Sequence, residues 1–304
     1  MVNETVKPGR FKKYLGKVFG KTKGERTFQI VNYVLFLLFG FIMLYPFIYV
    51  IKVSLENIRL IDGVATKVYN FTAYGLVLAN KKIYSAFFLT IFVVLVHTAL
   101  HLALTFIAAY PLSKKHFKGR NVLLFFVLFT MLFSGGLIPS YILITQILGW
   151  MDNLLVYIIP GVMTGFNIII VKNFLQGIPE SLEESAKLEG ANDMQILFRI
   201  YIPLSLPIAA TVALWAGVGK WNNWMTGVLY ITDSDLYVLQ NILRDMLVAA
   251  NSSTTGQGAD RELMAMADNV KMATVVIGTL PIVCIYPFVQ KYFVKGMLIG
   301  SVKG

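Results

Sequence analysis

Residues 179–203 read PESLEESAKLEGANDMQILFRIYIP, from Pro179 to Pro203. This is a polar-rich interruption between two strongly apolar stretches, and it divides into two short amphipathic pieces. Glu183, Glu184, Ala186 and Leu188 belong to the first. Met194, Ile196, Leu197, Phe198 and Ile200 give the second an apolar face. Gly190 stands where the chain must turn, and without a Cβ it takes a positive φ at no steric cost. Pro203 is expected to open the next apolar span.

The surrounding composition says what such a loop is attached to. The 304 residues are 57% hydrophobic and 14% charged, against about 25% charged in soluble domains. Mean hydropathy is +0.67, and apolar runs of about 20 residues read as membrane spans. Lipid leaves every spanning backbone helical or closed into a barrel. The pattern is therefore that of an all-α polytopic membrane protein. The formal charge of +11 reads as basic cytoplasmic loops and contact with anionic lipid rather than as nucleic-acid binding. Cys284 is the single cysteine, so no internal disulfide is possible.

In chain order, residues 1–27 form a basic arm in which Phe11, Tyr14/Leu15 and Val18/Phe19 recur at helical spacing. The arm reads either as a helix on anionic lipid or as an unstructured tail. Gly20-Lys21-Thr22 lacks the first glycine and the preceding strand of a phosphate-binding loop, so it is no nucleotide site. The permease-like body runs over residues 28–304. Six spans are expected: about 30–51 with a proline kink at Pro46, 83–110, one starting near Asn121, 153–171, Pro203 to about Ile231, and 271–289. The third is broken at Ser134-Gly135-Gly136, and the following Tyr141–Trp150 segment reads as re-entrant or interfacial. Residues 52–82 and 233–270 are expected as outer loops, the latter with a soft tip at Asn251–Gly256. The arm and the basic run Ser113–Arg120 mark the cytoplasmic side. Lys67, Lys81 and Lys82 stand against this. An even span count places both termini and the 179–203 loop in the cytoplasm.

The loop resembles the EAA loop of ABC importer permeases: Glu-Ala-Ala, three residues, Gly, nine residues, Ile, any residue, Leu, Pro. Glu184-Ser185-Ala186, Gly190, Ile200 and Pro203 fill it, with Ser185 and Ile202 departing from the pattern. The ending Gln290–Gly296 followed by Gly300–Gly304, the Phe133–Pro139 run and Trp221-Asn222-Asn223-Trp224 are similar to the maltose-transporter-like, oligosaccharide branch of that family. The resemblance implies a six-helix permease fold in which the loop couples to a separate ATPase through Glu183, Glu184, Ala186, Glu189, Gly190, Ala191, Met194, Phe198, Ile200 and Pro203. It implies a second homologous permease, two ABC ATPase subunits and an extracytoplasmic sugar-binding lipoprotein as partners, in a bacterial cell membrane. It implies no cofactor in this chain, ATP and magnesium being bound by the ATPase, and no catalytic residue.

Two groups inside the spans carry further expectations. Lys220 lies about 25 Å along the fifth span, counted from Pro203 at about 1.5 Å per residue. With Trp221, Asn222, Asn223 and Trp224 it reads as an interfacial belt or as the outer mouth of a sugar path. His97 and His101 share one helix face. A metal site wants three or four ligands, and no third is near in sequence, so they read as packed polar residues.

The reading is thus the transmembrane subunit of an ABC importer for an oligosaccharide or related sugar. The alternatives are a membrane-embedded glycosyl-transfer enzyme and a permease for a non-sugar solute. The enzyme would need acids clustered at one membrane face. A proton-coupled carrier or ion channel would want Asp or Glu within a span, and none is there.

Overall fold

The computed structural model describes residues 22–61, 64–254 and 261–301. Most of the basic arm, and with it the question of a lipid-lying helix, falls outside the described residues. The first helix, α1, covers Lys23–Leu55 and runs on through Pro46. Its start explains Thr22: the hydroxyl accepts from the Glu25 N–H at 3.2 Å, and the Glu25 carboxylate accepts from the Thr22 N–H at 3.1 Å. This reciprocal capping box fixes the helix end and begins the helix well before the expected residue 30.

The polar stretch after α1 is not a plain loop. Strands β1 (Glu56–Ile61) and β2 (Val64–Tyr69) pair antiparallel from Glu56↔Tyr69 to Ile61↔Val64. Helix α2 (Thr72–Leu78) follows. The all-α expectation is amended by this one hairpin.

Helix α3 (Lys81–Ser113, 33 residues) is the spine. Three buried clusters lie along it. Ile83 and Ala86 pack with Val77, Leu239, Leu243 and Ala273. Val93 packs with Ile144, Val156, Tyr157 and Tyr230. Phe106, Ala109, Tyr110 and Leu112 pack with Ile168, Val171, Leu175, Ile196, Leu197, Tyr201 and Val212. At about 1.5 Å per residue the helix is about 50 Å long, more than a bilayer's hydrocarbon thickness.

Beyond α3 the apolar segments are broken rather than continuous. Helix α4 (Arg120–Leu132) is followed by α5 (Leu137–Ile142), which continues as a π turn to Ile147. The two directions differ by 106°, as the Gly135-Gly136 and Pro139 breaks imply; Gly136 has φ 83°. The expected span 153–171 is corrected to two pieces, α6 (Leu155–Ile158) and α7 (Gly165–Leu175). Pro160 cannot donate to continue the helix, and Gly161 turns the chain at φ 76°.

The 179–203 loop supplies α8 (Glu180–Leu188) and α9 (Asp193–Ile196), the latter running through a π turn into α10 (Ile202–Leu204). The next span does not open at Pro203. It opens at Leu206 with α11 (Leu206–Trp221), after an 84° bend. Pro203 and Pro207 each lack an N–H, and Ser205 between them serves as the corner, its N–H 3.0 Å from both the Tyr201 and Ile202 carbonyls.

Helix α12 (Met225–Tyr230) follows. The expected outer loop is largely helical instead: α13 covers Leu239–Thr254 and the long α14 covers Arg261–Ser301. Leu239, Ile242 and Leu243 recur at helical spacing and are buried against α2, α3 and α14, which is why the segment folds as a helix. The backbone of Asn251–Thr254 closes α13, and the rest of the expected soft tip lies outside the described residues.

Among the described residues, three helices are long and apolar enough to cross a membrane, and the number is up to five where each of two bent pairs counts as one span. Apolar residues of α1 such as Phe41 are left exposed, the arrangement expected when lipid or a partner subunit is the solvent.

Candidate functional site

The 179–203 loop is two helices around a defined joint. Gly190 has φ 84°. Its N–H donates to the Lys187 carbonyl at 3.0 Å, and the Ala191 N–H donates to the Ala186 carbonyl at 3.0 Å. These two bonds form a Schellman closure, which needs a left-handed residue at this position. Asn192 then starts α9 with a capping box, its side chain accepting from the Gln195 N–H at 2.9 Å. Ala186 and Ala191 are half-buried against the core cluster, as is Ile200.

What braces the joint is Glu183, buried with 8% of its side chain exposed. It is ion-paired to Lys114, the residue that ends α3. Lys187 donates to Glu183 Oε1 at 2.8 Å, and the Tyr201 hydroxyl donates to Oε2 at 3.0 Å. Lys114 Nζ also donates to the Tyr201 hydroxyl at 2.5 Å and lies 4.1 Å from the Tyr201 ring centroid. One carboxylate thereby ties α3, α8 and the π turn after α9 together. Burial alone pushes the Glu183 carboxyl up. The hydrogen bonds from Lys114, Lys187 and Tyr201 outweigh it and hold the group at about 2. Glu183 was expected among the ATPase-facing residues; in the structure it faces inward.

The second helix divides its apolar residues in the same way. Ile196 and Leu197 are buried under the bundle, whereas Met194 and Phe198 are 57% and 54% exposed. Leu188, at 91% exposed, stands beside the joint. Glu184, Glu189 and Pro203 are also exposed. The loop thus presents an acidic and apolar outer face on a core-anchored inner one.

The expected path residues separate. Trp221 is buried, donates to the Gly278 carbonyl at 3.1 Å and meets Phe87 edge-on, so it packs within the core. Asn223 caps α12, accepting from the Thr226 N–H at 3.1 Å. Asn222 and Trp224 line a cavity of about 310 Å³ beside α13 and α14, with Arg244 stacked over the Trp224 ring at 4.9 Å. Lys220 turns inward and donates to the Pro160 carbonyl at 2.8 Å.

That carbonyl belongs to the break between α6 and α7. The same break is served by His97, whose Nδ1 lies 2.7 Å from the Ile158 carbonyl. His101 Nε2 lies 2.7 Å from the Asn167 amide of α7, and the two imidazoles stack at 5.9 Å. The histidines and Lys220 therefore satisfy backbone and side-chain polar groups where the α6–α7 segment is interrupted. No group of three or more His, Cys, Asp or Glu able to hold a metal occurs among the described residues. Lys114, Tyr201 and Arg244 were not singled out as site residues from sequence. Lys114 was visible only as one of several loop lysines.

Apolar helices, interrupted spans and a hinged amphipathic loop braced against the end of α3 define a membrane transport component. The chain belongs to the family described as "Binding-protein-dependent transport system inner membrane component", which matches residues 14–299. It is 41% identical over 287 residues to Protein LplC of Bacillus subtilis, covering 93% of this chain and 97% of that one. It is 39% identical over 291 residues to the Polygalacturonan/rhamnogalacturonan transport system permease protein YtcP of the same organism, covering 92% and 99%. A crystal structure of a bacterial ABC transporter involved in the import of the acidic polysaccharide alginate contains a similar chain. The TM-score is 0.77 and the identity 32%, over 90% of this chain and 99% of that one. The protein is accordingly a membrane-resident transport permease and not an enzyme, and the glycosyl-transfer alternative is not favoured. As an ABC importer permease it works with a further permease, an ATPase and a binding protein.

Glu183→Gln tests the brace. Removing one charge of a buried pair costs about 3–5 kcal/mol, whereas replacing both partners by apolar residues is close to neutral. Thermal unfolding of the purified protein should show a large loss for Glu183→Gln and recovery of most of it in Lys114→Met/Glu183→Met. Because the folded carboxyl is held below its usual 4.5, its contribution is complete above that value and is lost as pH falls toward 2. Glu183→Gln should remove that part of the acid sensitivity.

Proposed function

We propose that this chain is a transmembrane subunit of a bacterial ABC importer that carries an oligosaccharide or related sugar, energised by a separate ATPase. The observation that carries the coupling role is the two-sided loop. Glu183 anchors one side to α3, while Leu188, Met194, Phe198, Glu184 and Glu189 are displayed on the other. A rigid inner attachment with an exposed outer face is what transmission of a push from a docked partner requires. The saccharide reading is supported by the relatives, among them the Arabinooligosaccharides transport system permease protein AraQ of Bacillus subtilis, 25% identical over 287 residues.

In this proposal two ATPase subunits hold ATP and magnesium, and a homologous permease completes the membrane portion. A sugar-binding lipoprotein delivers cargo from outside. Alternating access follows when ATP and loaded binding protein favour different states of the pair of permeases.

Six crossings are proposed: the three long helices, the bent α4–α5 pair, the broken α6–α7 segment, and α11 after the bend that closes the coupling loop. The basic Ser113–Arg120 loop supports a cytoplasmic location for the coupling loop and both termini. Lys67, Lys81 and Lys82 on the opposite side stand against it; Lys67 pairs with Glu56 at 3.2 Å and Lys82 with Asp235 at 3.3 Å.

In reconstituted complexes, Gly190→Val and Glu184→Lys should leave the permease inserted at normal level and abolish transport. Valine is strained at φ 84° although the space around Gly190 is open, and lysine reverses the exposed charge. The ATPase should dissociate, or its hydrolysis should no longer respond to loaded binding protein. Undiminished stimulated hydrolysis in both variants removes the loop from the coupling role.

Orientation is tested with single cysteines in a Cys284→Ser background. A cysteine at Asn251 should react with an impermeant maleimide in intact cells, and one at Lys118 only after permeabilisation. The reverse pattern inverts the topology.

A further inference from the structure

The cavity beside Trp224 has a chemistry that the coupling role does not use. It lies between the end of α11, α13 and α14, and its polar lining is Asn222, Trp224, Gln240, Arg244, Thr274 and Thr279. The lining contains one cation and no carboxylate. At about 310 Å³ it stands at the small end of the usual ligand-pocket range of about 300–1,000 Å³. That is room for part of a chain molecule, not for all of it.

The frame around the cavity is fixed. The Trp224 carbonyl accepts from Asn241 Nδ2 at 2.8 Å, and Asn241 is itself buried. Asn241 fits there because residue 227 is glycine: a Cβ at Gly227 would sit 2.3 Å from Asn241 Oδ1. On the other side, Trp221 holds α11 to α14 through the Gly278 carbonyl at 3.1 Å. The Thr274 and Thr279 hydroxyls donate to the Val270 and Val275 carbonyls at 2.7 and 2.9 Å. Their lone pairs remain to accept from a ligand hydroxyl.

On this frame Trp224 is displayed with 38% of its surface exposed. Arg244 lies over it, and its ion pair with neighbouring Asp245 is long, at 3.5 Å, between side chains 41% and 55% exposed. Such a pair contributes little and leaves the guanidinium fork open to a better anion. A planar fork of N–H donors matches a carboxylate in two parallel hydrogen bonds. The indole face that Arg244 leaves uncovered suits the C–H face of a pyranose, and the Asn222 and Gln240 amides suit ring hydroxyls.

The geometry points to a subsite at Trp224 and Arg244 for a carboxylate-bearing sugar unit, which makes the importer selective for acidic over neutral saccharides. This rests on the sugar-permease reading and deepens it. Arg244 supplies the charge discrimination and Trp224 the ring platform. A neutral sugar meets the same platform but leaves the guanidinium without its anion.

The test uses the assembled importer complex without its binding protein, so that selectivity is read from the membrane portion. Two probes of one shape are compared by equilibrium binding: a uronic-acid trisaccharide and its neutral methyl ester. The wild-type complex should prefer the acid by about tenfold or more, the span expected of a hydrogen-bonded charge. Arg244→Gln should bring the preference near unity with ester affinity unchanged. Arg244→Lys should keep part of it, since charge survives but the fork does not. Trp224→Ala should weaken both probes alike. An acid-to-ester ratio unchanged in an assembled Arg244→Gln complex overturns the subsite and leaves the sugar-permease reading standing. So does a wild-type complex that transports a neutral trisaccharide, delivered by its binding protein, yet binds neither probe. If no saccharide, acidic or neutral, is transported by the wild-type importer with its binding protein present, the underlying reading fails and the subsite with it.

Discussion

A carboxylate can be buried and remain charged only where its charge is matched on several sides. Glu183 is matched by two lysines and a tyrosine hydroxyl. Everything on the loop side of the molecule depends on this match. Without it, α8 would be an exposed nine-residue helix with a weak apolar face, and helices of that length are marginal in water. With it, the helix is fixed to Lys114, which caps α3, and to the turn that leads into α11. The outer face is then presented in one orientation, a condition for a partner to push on it rather than merely displace it.

From that anchor the structure distributes load along α3. Its C-terminal end carries the Glu183–Lys114–Tyr201 contacts, its middle meets the α6 break and the Tyr157–Tyr230 cluster, and its N-terminal end packs with α2, α13 and α14. His97 and His101 project from the middle stretch to satisfy the interrupted α6–α7 segment, and Lys220 does the same from α11. That interruption is therefore cross-braced by side chains of α3 and α11. A shift of α3 relative to α11 would strain these contacts together.

The parts legible in the sequence were those with a local cause. Gly190 was read as a turn, and its positive φ and the Schellman bonds follow from having no Cβ. The Gly135-Gly136 break and the membrane class were legible for similar reasons. Contacts across the fold were not. Nothing in the spacing around Glu183 distinguishes it from Glu184, although one is buried and the other exposed; only the partner at Lys114, 69 residues away in sequence, decides. Trp221 was grouped with Trp224, but α11 turns the first into the core. The α13 helix was hidden by its charges, although Leu239, Ile242, Leu243 and Met246 carried the period. The hairpin had a signal too, since the sequence reads Asp62-Gly63 after β1, and a dipeptide of that type favours hairpin formation. Pro160 was passed over inside an apolar run that otherwise satisfied a span.

The central claim is that the loop has an inward side held by Glu183 and an outward side that meets the ATPase. Single cysteines at Met194, Ile196 and Phe198, in a Cys284→Ser background, test it when the assembled importer is treated with a short bismaleimide and the ATPase carries cysteines along its surface cleft. The account predicts cross-links to the ATPase from residues 194 and 198, and none from 196 while Glu183 is intact. Equal cross-linking from all three positions, or none from 194 and 198, would contradict it.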